Sequence, residues 1–291
     1  MSQTLERPPA AAAPRRRARV SVLQRVFVRP ETGSLVGAIA IMVFFAAVAP
    51  PFRQLTSAAT VLYASSTIGI MAIAVALLMI GGEFDLSAGV AVTSAALTAS
   101  MLSYELSLNL WIGALVALAV TLAIGWVNGY IVVRTGIPSF LVTLGTFLML
   151  QGLNLAVTKL ITGTVATKNI SDMDGYGSLK AIFASQFTVA GVTIRVTVLW
   201  WLLFVAISTY VLLKTRIGNW IFAVGGNAAS ARAVGVPVNK VKIGLFMTVG
   251  FLAWFTGMHL LYSFNTVQSG EGVGNEFRYI IAAVIGGALL T

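Results

Sequence analysis

The chain of 291 residues is 58% hydrophobic and 10% charged, against roughly 25% charged in a soluble domain, so it cannot cover itself with a water-compatible surface. With no cysteine and one histidine, His259, it excludes disulfides, thiolate nucleophiles and the usual Cys/His metal sites, and it implies no cofactor and no metal. A net charge of +10 invites a nucleic-acid reading, but the basic residues are clustered at one end, ahead of the first apolar segment.

Residues 1–33 carry Arg7, Arg15, Arg16, Arg17, Arg19, Arg25 and Arg29 among Pro8, Pro9, Pro14 and a run of alanines. This reads as a disordered basic cytoplasmic tail. A cleaved signal peptide needs its apolar region soon after a short basic one, and here the first begins near Ser34. Residues 34–291 then read as an all-α, polytopic transmembrane domain. Its candidate spans are Ser34–Phe52, Ala58–Ile80, a shorter Leu86–Leu102, Leu110–Val133, Pro138 to near Val157, Thr197–Leu213, Lys242–Ser263, and an eighth starting near Phe277. With the N-terminus inside, thirteen Lys/Arg fall on inner segments and six on outer ones, as the positive-inside bias requires. The longest outer segment is 158–196.

Between the second and third spans lies Gly81-Gly82-Glu83-Phe84-Asp85-Leu86-Ser87-Ala88-Gly89. Paired glycines release the backbone from the helix, and Asp85 or Ser87 can cap the helix that follows. If the break lies at membrane depth it must line a cavity or be packed in protein. A tight inner turn with two solvated acids is the plain alternative; a broken helix beside a transport path is the functional one. In the fifth span, Thr143, Thr146, Gln151 and Asn154 fall at about 0°, 300°, 80° and 20° on a helical wheel, within an arc of about 140°. Such a stripe can bond a passing solute or neighbouring helices. Gly125 to Gly129 forms a GxxxG pattern for close helix approach, with Asn128 a candidate path residue. No in-span carboxylate accompanies His259, which is therefore expected to be packed and hydrogen-bonded rather than a proton relay.

The segment 214–241 is predicted to hold a short helix, with Asn227 as its N-cap, Gly235 at the left-handed position after its end, and Pro237 preventing continuation. A helix this short needs a surface to dock on. No phosphate loop of the Gly-x-x-x-x-Gly-Lys-Ser/Thr type occurs, so ATP is not handled here in that manner. The glycines of 270–274 lack dinucleotide spacing and are expected to bend the outer entry to the last span.

Gly81–Gly89 resembles the Gly-Gly-x-Asp-Leu-Ser-x-Gly signature of ribose/xylose/arabinose-type ABC transporter permeases. It departs in carrying Glu83-Phe84 where many members have one residue, and Ala88 where Val is usual. Further segments resemble the same family in order: Asn128-Gly129, Ile137–Thr146 with Gln151-Gly152-Leu153, Phe222–Gly235, and Gly272–Phe277 followed by Ile281–Gly287. The resemblance implies a sugar-importer membrane subunit with ABC ATPase subunits, an extracytoplasmic solute-binding protein, a second permease subunit and the lipid bilayer as partners, and no nucleic acid. It implies a solute path through Glu83, Asp85, Ser87, Asn128, Thr143, Thr146, Gln151 and Asn154. It also implies a helix in 214–241 coupled to the ATPase through Gly226, Asn227, Arg232 and Gly235. About eight spans of about ten are expected, the last incomplete, so the resemblance implies a C-terminally shortened chain, and whether it is transport-competent stays open. An ion-coupled secondary transporter and an ABC permease for a nucleoside or autoinducer stay open. An intramembrane enzyme is disfavoured, because Asp85, Asp172 and Asp174 with one unpaired histidine make no catalytic pair.

Overall fold

The computed structural model describes residues 30–288; positions 1–29 of the expected basic tail lie outside them. Helix α1 (Pro30–Val48) leads through a 3-10 turn at Pro50–Arg53 into α2 (Leu55–Ile80). Arg53 folds back to donate to the carbonyls of Ala46 (2.5 Å) and Ala47 (3.0 Å), supplying donors to carbonyls at the end of α1. Helices α3 (Ala88–Glu105), α4 (Leu110–Thr135) and α5 (Ser139–Thr162) follow. After them come α6 (Tyr176–Phe183), a hairpin of β1 (Gln186–Val189) and β2 (Val192–Arg195), and α7 (Val196–Lys214). The chain then forms α8 (Arg216–Gly226), α9 (Ala228–Ala233), α10 (Val238–Phe264) and α11 (Asn275–Ile285).

Among the described residues, α2, α4, α5, α7 and α10 are long and apolar enough to cross a membrane. The other three expected spans correspond to α1, α3 and α11, and each differs for its own reason. Helix α1 leaves Leu35, Val36, Ile39, Phe44 and Val48 exposed and packs on the 3-10 turn. Helix α3 is rich in alanine and serine and is buried almost throughout, at the centre of the bundle between α4, α5 and α10. Its small side chains and the glycines facing it let backbones approach closely. A methyl group on Gly113 would come 2.5 Å from Ala99 O, and one on Gly257 2.5 Å from Val92 O. Gly125 and Gly129 do the same for the α4–α10 crossing, against Phe246 and Ile243, so the GxxxG pattern serves helix packing.

Helix α11 is short because the segment before it descends into the bundle. At one end of the molecule, 163–170 pairs with 265–269: Thr167 N donates to Val267 O (3.0 Å), Ser269 N to Val165 O (2.9 Å) and Ile170 N to Asn265 O (3.2 Å). The chain then runs inward until Gly272 meets Gly89. Helix α11 therefore starts beside the first turn of α3 and runs along α2, where Gly286 and Gly287 line the same groove as Ile80 and Gly226. A rim bent by glycines was expected before the last span; an inward strap is found, and it buries Glu276 to 2% exposure.

Helices α2 and α11 end alike, in Ile-Gly-Gly. Gly81 and Gly286 sit at φ −76° and −71°, and Gly82 and Gly287 at +80° and +94°, where glycine is unhindered. The bonds match one for one: Gly81 N to Leu77 O and Gly286 N to Ala282 O, Gly82 N to Met79 O and Gly287 N to Val284 O, Glu83 N to Leu78 O and Ala288 N to Ala283 O. This is a local repeat of one helix-ending device at the same end of the bundle.

Candidate functional site

The break between α2 and α3 is held by the buried face of α5. Its backbone donors have fallen out of helical register and need acceptors inside the protein. Phe84 N finds Ser139 Oγ (2.9 Å) and Leu86 N finds Thr143 Oγ1 (3.1 Å). Ser87 N donates to Asp85 Oδ1 (2.7 Å). Neither candidate caps α3: the Ser87 side chain accepts nothing from the α3 backbone, and Asp85 accepts only from Ser87 itself, in a turn ahead of the helix.

A one-way chain of hydrogen bonds ends on the same carboxylate. Thr146 Oγ1 donates to Asn128 Oδ1 (2.6 Å), Asn128 Nδ2 to Ser87 Oγ (3.0 Å), and Ser87 Oγ to Asp85 Oδ1 (2.6 Å). All four residues are buried, and they come from the break, α4 and α5. About two turns further along α5, Asn154 Oδ1 accepts from Ser94 Oγ (2.9 Å) and Asn154 Nδ2 donates to Val90 O (3.2 Å). The buried face of α5 is thus Ser139, Thr143, Thr146, Leu150, Asn154 and Thr158; Ser139 and Thr143 hold the break, Thr146 bonds α4 and Asn154 bonds α3, while the Thr158 hydroxyl has no partner. Gln151, placed on the same stripe by the helical wheel, is half-buried, and no hydrogen bond joins it to this network.

Glu83 points away from Asp85 and forms an ion pair with Lys242 in the first turns of α10. Lys242 was legible in the sequence only as one more inner-segment charge, because nothing local shows that α10 starts beside the break. The Glu83 side chain is 7% exposed and that of Lys242 20%. Lys242→Met is expected to destabilise the bundle by about 2 kcal/mol, below the about 3–5 kcal/mol of a fully buried pair because lysine is partly solvated. Adding Glu83→Gln should recover most of that loss. SDS-titrated unfolding of both variants checks it, and a wild-type midpoint for Lys242→Met alone would show that the pair carries no stability.

Gly226, Asn227, Arg232 and Gly235 lie together at this end. Asn227 Oδ1 accepts from Ser230 N (2.8 Å) and Gly235 has φ +85°, so α9 starts and stops where its capping residues stand. Ala231 is the buried residue of α9; Arg232, exposed, reaches Asn239 Oδ1 at 3.3 Å, and Val234 is 80% exposed. Helix α8, absent from the sequence expectation, carries α9: Gly225 packs on the backbone at Ile80 and Gly81, and Thr215 caps its start through Gly218 N (3.3 Å).

His259 is tied to three other elements. Its Nδ1 lies 2.7 Å from the Phe183 carbonyl, which can only accept, so Nδ1 carries the proton and Nε2 accepts from Tyr63 Oη at 3.0 Å. Thr197 Oγ1 adds a contact at 3.0 Å. The packed, hydrogen-bonded role expected for it is the one observed.

Residues 57–290 match the family model described as branched-chain amino acid transport system / permease component. The chain is 30% identical over 263 residues to the ribose import permease protein of Haemophilus influenzae, covering 89% of this chain and 77% of that one. It is 34% identical over 263 residues to a probable ABC transporter permease protein of Escherichia coli, covering 90% and 74%, and 28% identical over 251 residues to the galactose/methyl galactoside import permease protein of Escherichia coli, covering 82% and 72%. No solved structure matches the chain. A multi-pass helix bundle, broken by paired glycines and matched by that model over most of its length, belongs with the ABC transporter permeases of this family.

Proposed function

We propose that the chain is the membrane-spanning subunit of a bacterial inner-membrane importer for a monosaccharide or related small polar solute, driven by ATP hydrolysis in separate subunits. The observation that carries the reading is the broken helix at Asp85, set inside the bundle among neutral hydrogen-bonding side chains. A sugar offers hydroxyls to such groups, whereas an amino acid also needs a cation for its carboxylate. The cation beside the break, Lys242, is already paired with Glu83. The relatives named as ribose and galactose importers support the same solute class.

In this reading Glu83, Asp85, Ser87, Asn128, Thr143, Thr146, Gln151 and Asn154 form or brace the solute path. Helix α9, with Gly226, Asn227, Arg232 and Gly235, docks in an ATPase subunit and moves with it. The Lys/Arg bias puts the N-terminus and α9 on the cytoplasmic side, and the 158–196 segment faces an extracytoplasmic solute-binding protein. A second permease subunit, identical or related, completes the complex. Reconstitution in nanodiscs with the ATPase and binding protein, against a sugar panel, is expected to give sugar-stimulated ATP hydrolysis only when both partners are present. Uptake that survives ATP depletion and collapses with an uncoupler would overturn the reading in favour of ion coupling.

A further inference from the structure

Two segments leave helical geometry inside this bundle, 81–87 ahead of α3 and 265–274 ahead of α11. They cross at a pair of glycines. A methyl group on Gly89 would stand 2.5 Å from Gly272 O and 2.6 Å from Glu276 Oε2, and one on Gly272 would strike Gly89 O and Thr93 Oγ1. The first turns of α3 and α11 therefore bring Thr93 and Glu276 to one spot, with only glycine backbone between them.

Both side chains are buried, Thr93 at 0% and Glu276 at 2% exposure, and both are under-used. Thr93 Oγ1 has no hydrogen-bond partner. Some buried hydroxyls in the bundle return to the carbonyl one turn back, as Ser94 does to Val90 O and Thr143 to Ser139 O, while Ser100, Ser103, Thr158 and Thr256 share the unpartnered state of Thr93. At Thr93 that bond is missing, and the corresponding carbonyl, Gly89 O, lies at the crossing with Gly272. The Glu276 carboxylate accepts Gly274 N, 3.0 Å from each oxygen, where a carboxylate offers about four acceptor positions. Asp85, Asn128 and Thr146 differ in kind, since they bond one another and hold the break. Leaving buried polar capacity unmet is costly, and what sets Thr93 apart from the other unpartnered hydroxyls is its place at the Gly89–Gly272 crossing, where the Glu276 carboxylate also stands.

We propose that Thr93 and Glu276 contact the solute: the glycine crossing parts during transport, a solute hydroxyl donates to the Glu276 carboxylate, and another oxygen accepts from Thr93. The ligand class is a neutral polyhydroxy molecule, so the assignment rests on the import reading above. It adds a second site to the path, on the face of α3 turned away from α5.

The test is uptake by the complete complex in proteoliposomes, with a parent sugar and its mono-deoxy analogues. Thr93→Val, which keeps the shape and removes the hydroxyl, is expected to raise KM about tenfold with little change in maximal rate. It should also abolish the penalty that the wild type shows for one mono-deoxy analogue, since a missing hydroxyl matters only where the site bonds it. Glu276→Gln is expected to raise KM more steeply. A purely structural role would lower the melting temperature and leave the ranking of analogues intact. Wild-type KM and ranking in Thr93→Val overturn the assignment even if Glu276→Gln fails to assemble. Uptake by Glu276→Gln restored by high sodium makes the carboxylate a cation site and also overturns it. If the wild-type complex, with its ATPase active, moves no neutral polyol, the import reading itself fails, and that result is separate from the others.

Discussion

Replacing Gly225 by alanine is expected to loosen α8 from α2, while the same change at the neighbouring Gly226 is nearly silent. Gly225 faces the Ile80 carbonyl so closely that a methyl group would overlap it, with the Gly81 carbonyl carbon 3.4 Å away. Both obstacles are main chain, so no side-chain rotation relieves them. Overpacking usually costs about 1–3 kcal/mol, and a clash of backbone with backbone belongs at the upper end, near 3 kcal/mol, more than a hundredfold in a folding equilibrium. Gly226 has nothing within 4 Å of where its methyl would lie, and alanine is the better helix former. The pair is its own control. Thermal melting in nanodiscs should separate the two by several degrees, and equal midpoints would remove the close approach as a structural element. Because α9 follows α8 directly, Gly225→Ala should, if α9 docks as proposed, also weaken association with an ATPase subunit.

Ser87→Ala is expected to cost about as much, for an electrostatic reason. The hydroxyl sits in the middle of the chain from Thr146 to Asp85. Its loss leaves the Asp85 carboxylate with the Ser87 backbone donor and leaves Asn128 Nδ2 without an acceptor. A hydrogen bond to a charged group is worth about 1.5–3 kcal/mol and an orphaned buried donor about 1–3 kcal/mol. Membrane bundles sit at the low end because their unfolded state also finds partners, so about 3 kcal/mol in total is expected. Thr146→Val, at the far end of the chain, should cost about 1 kcal/mol or less, since Asn128 keeps its bond to Ser87. Combining Ser87→Ala with Asn128→Leu should cost clearly less than the two separately, because the first already breaks the bond the second removes. Strict additivity in SDS-titrated unfolding would show that the bonds act independently.

These two sites also mark the boundary of what the sequence made legible. Hydropathy located the long spans, and paired glycines ahead of Asp85 located the break, because both signals are local. Asn227 and Gly235 announced the limits of α9 for the same reason. The facing of Thr143, Thr146 and Asn154 followed from helical periodicity alone. The pairing of Glu83 with Lys242 spans 159 positions and has no local mark. Helix α8 was hidden because Lys214, Thr215, Arg216 and Asn219 around its start make the segment read as an inner loop. Glu276 stood among the glycines of a loop that reads as solvent-facing, and only the meeting of Gly272 with Gly89 carries it inside. A carboxylate in the first turn before an apolar run was the available clue, since such acids belong to helix starts rather than to rims.

The burial of α3 constrains how the protein is made. With its alanines, serines and threonines, α3 is not among the helices apolar enough to cross a membrane, so lipid alone offers it little reason to enter. The break that joins it to α2 is only seven residues long, Gly81 to Ser87, which makes the two a helical hairpin in which the strongly apolar α2 carries the weaker partner in. Once there, the polar face of α3 has α4 and α5 available early, but the surfaces it shares with α10 and with the strap leading into α11 are synthesised far later in the chain. Assembly therefore passes through a stage in which Gly89, Val92, Thr93 and Ala96 lack their final neighbours. That unfinished side of α3 is where a membrane chaperone or premature pairing with another copy would act during biogenesis.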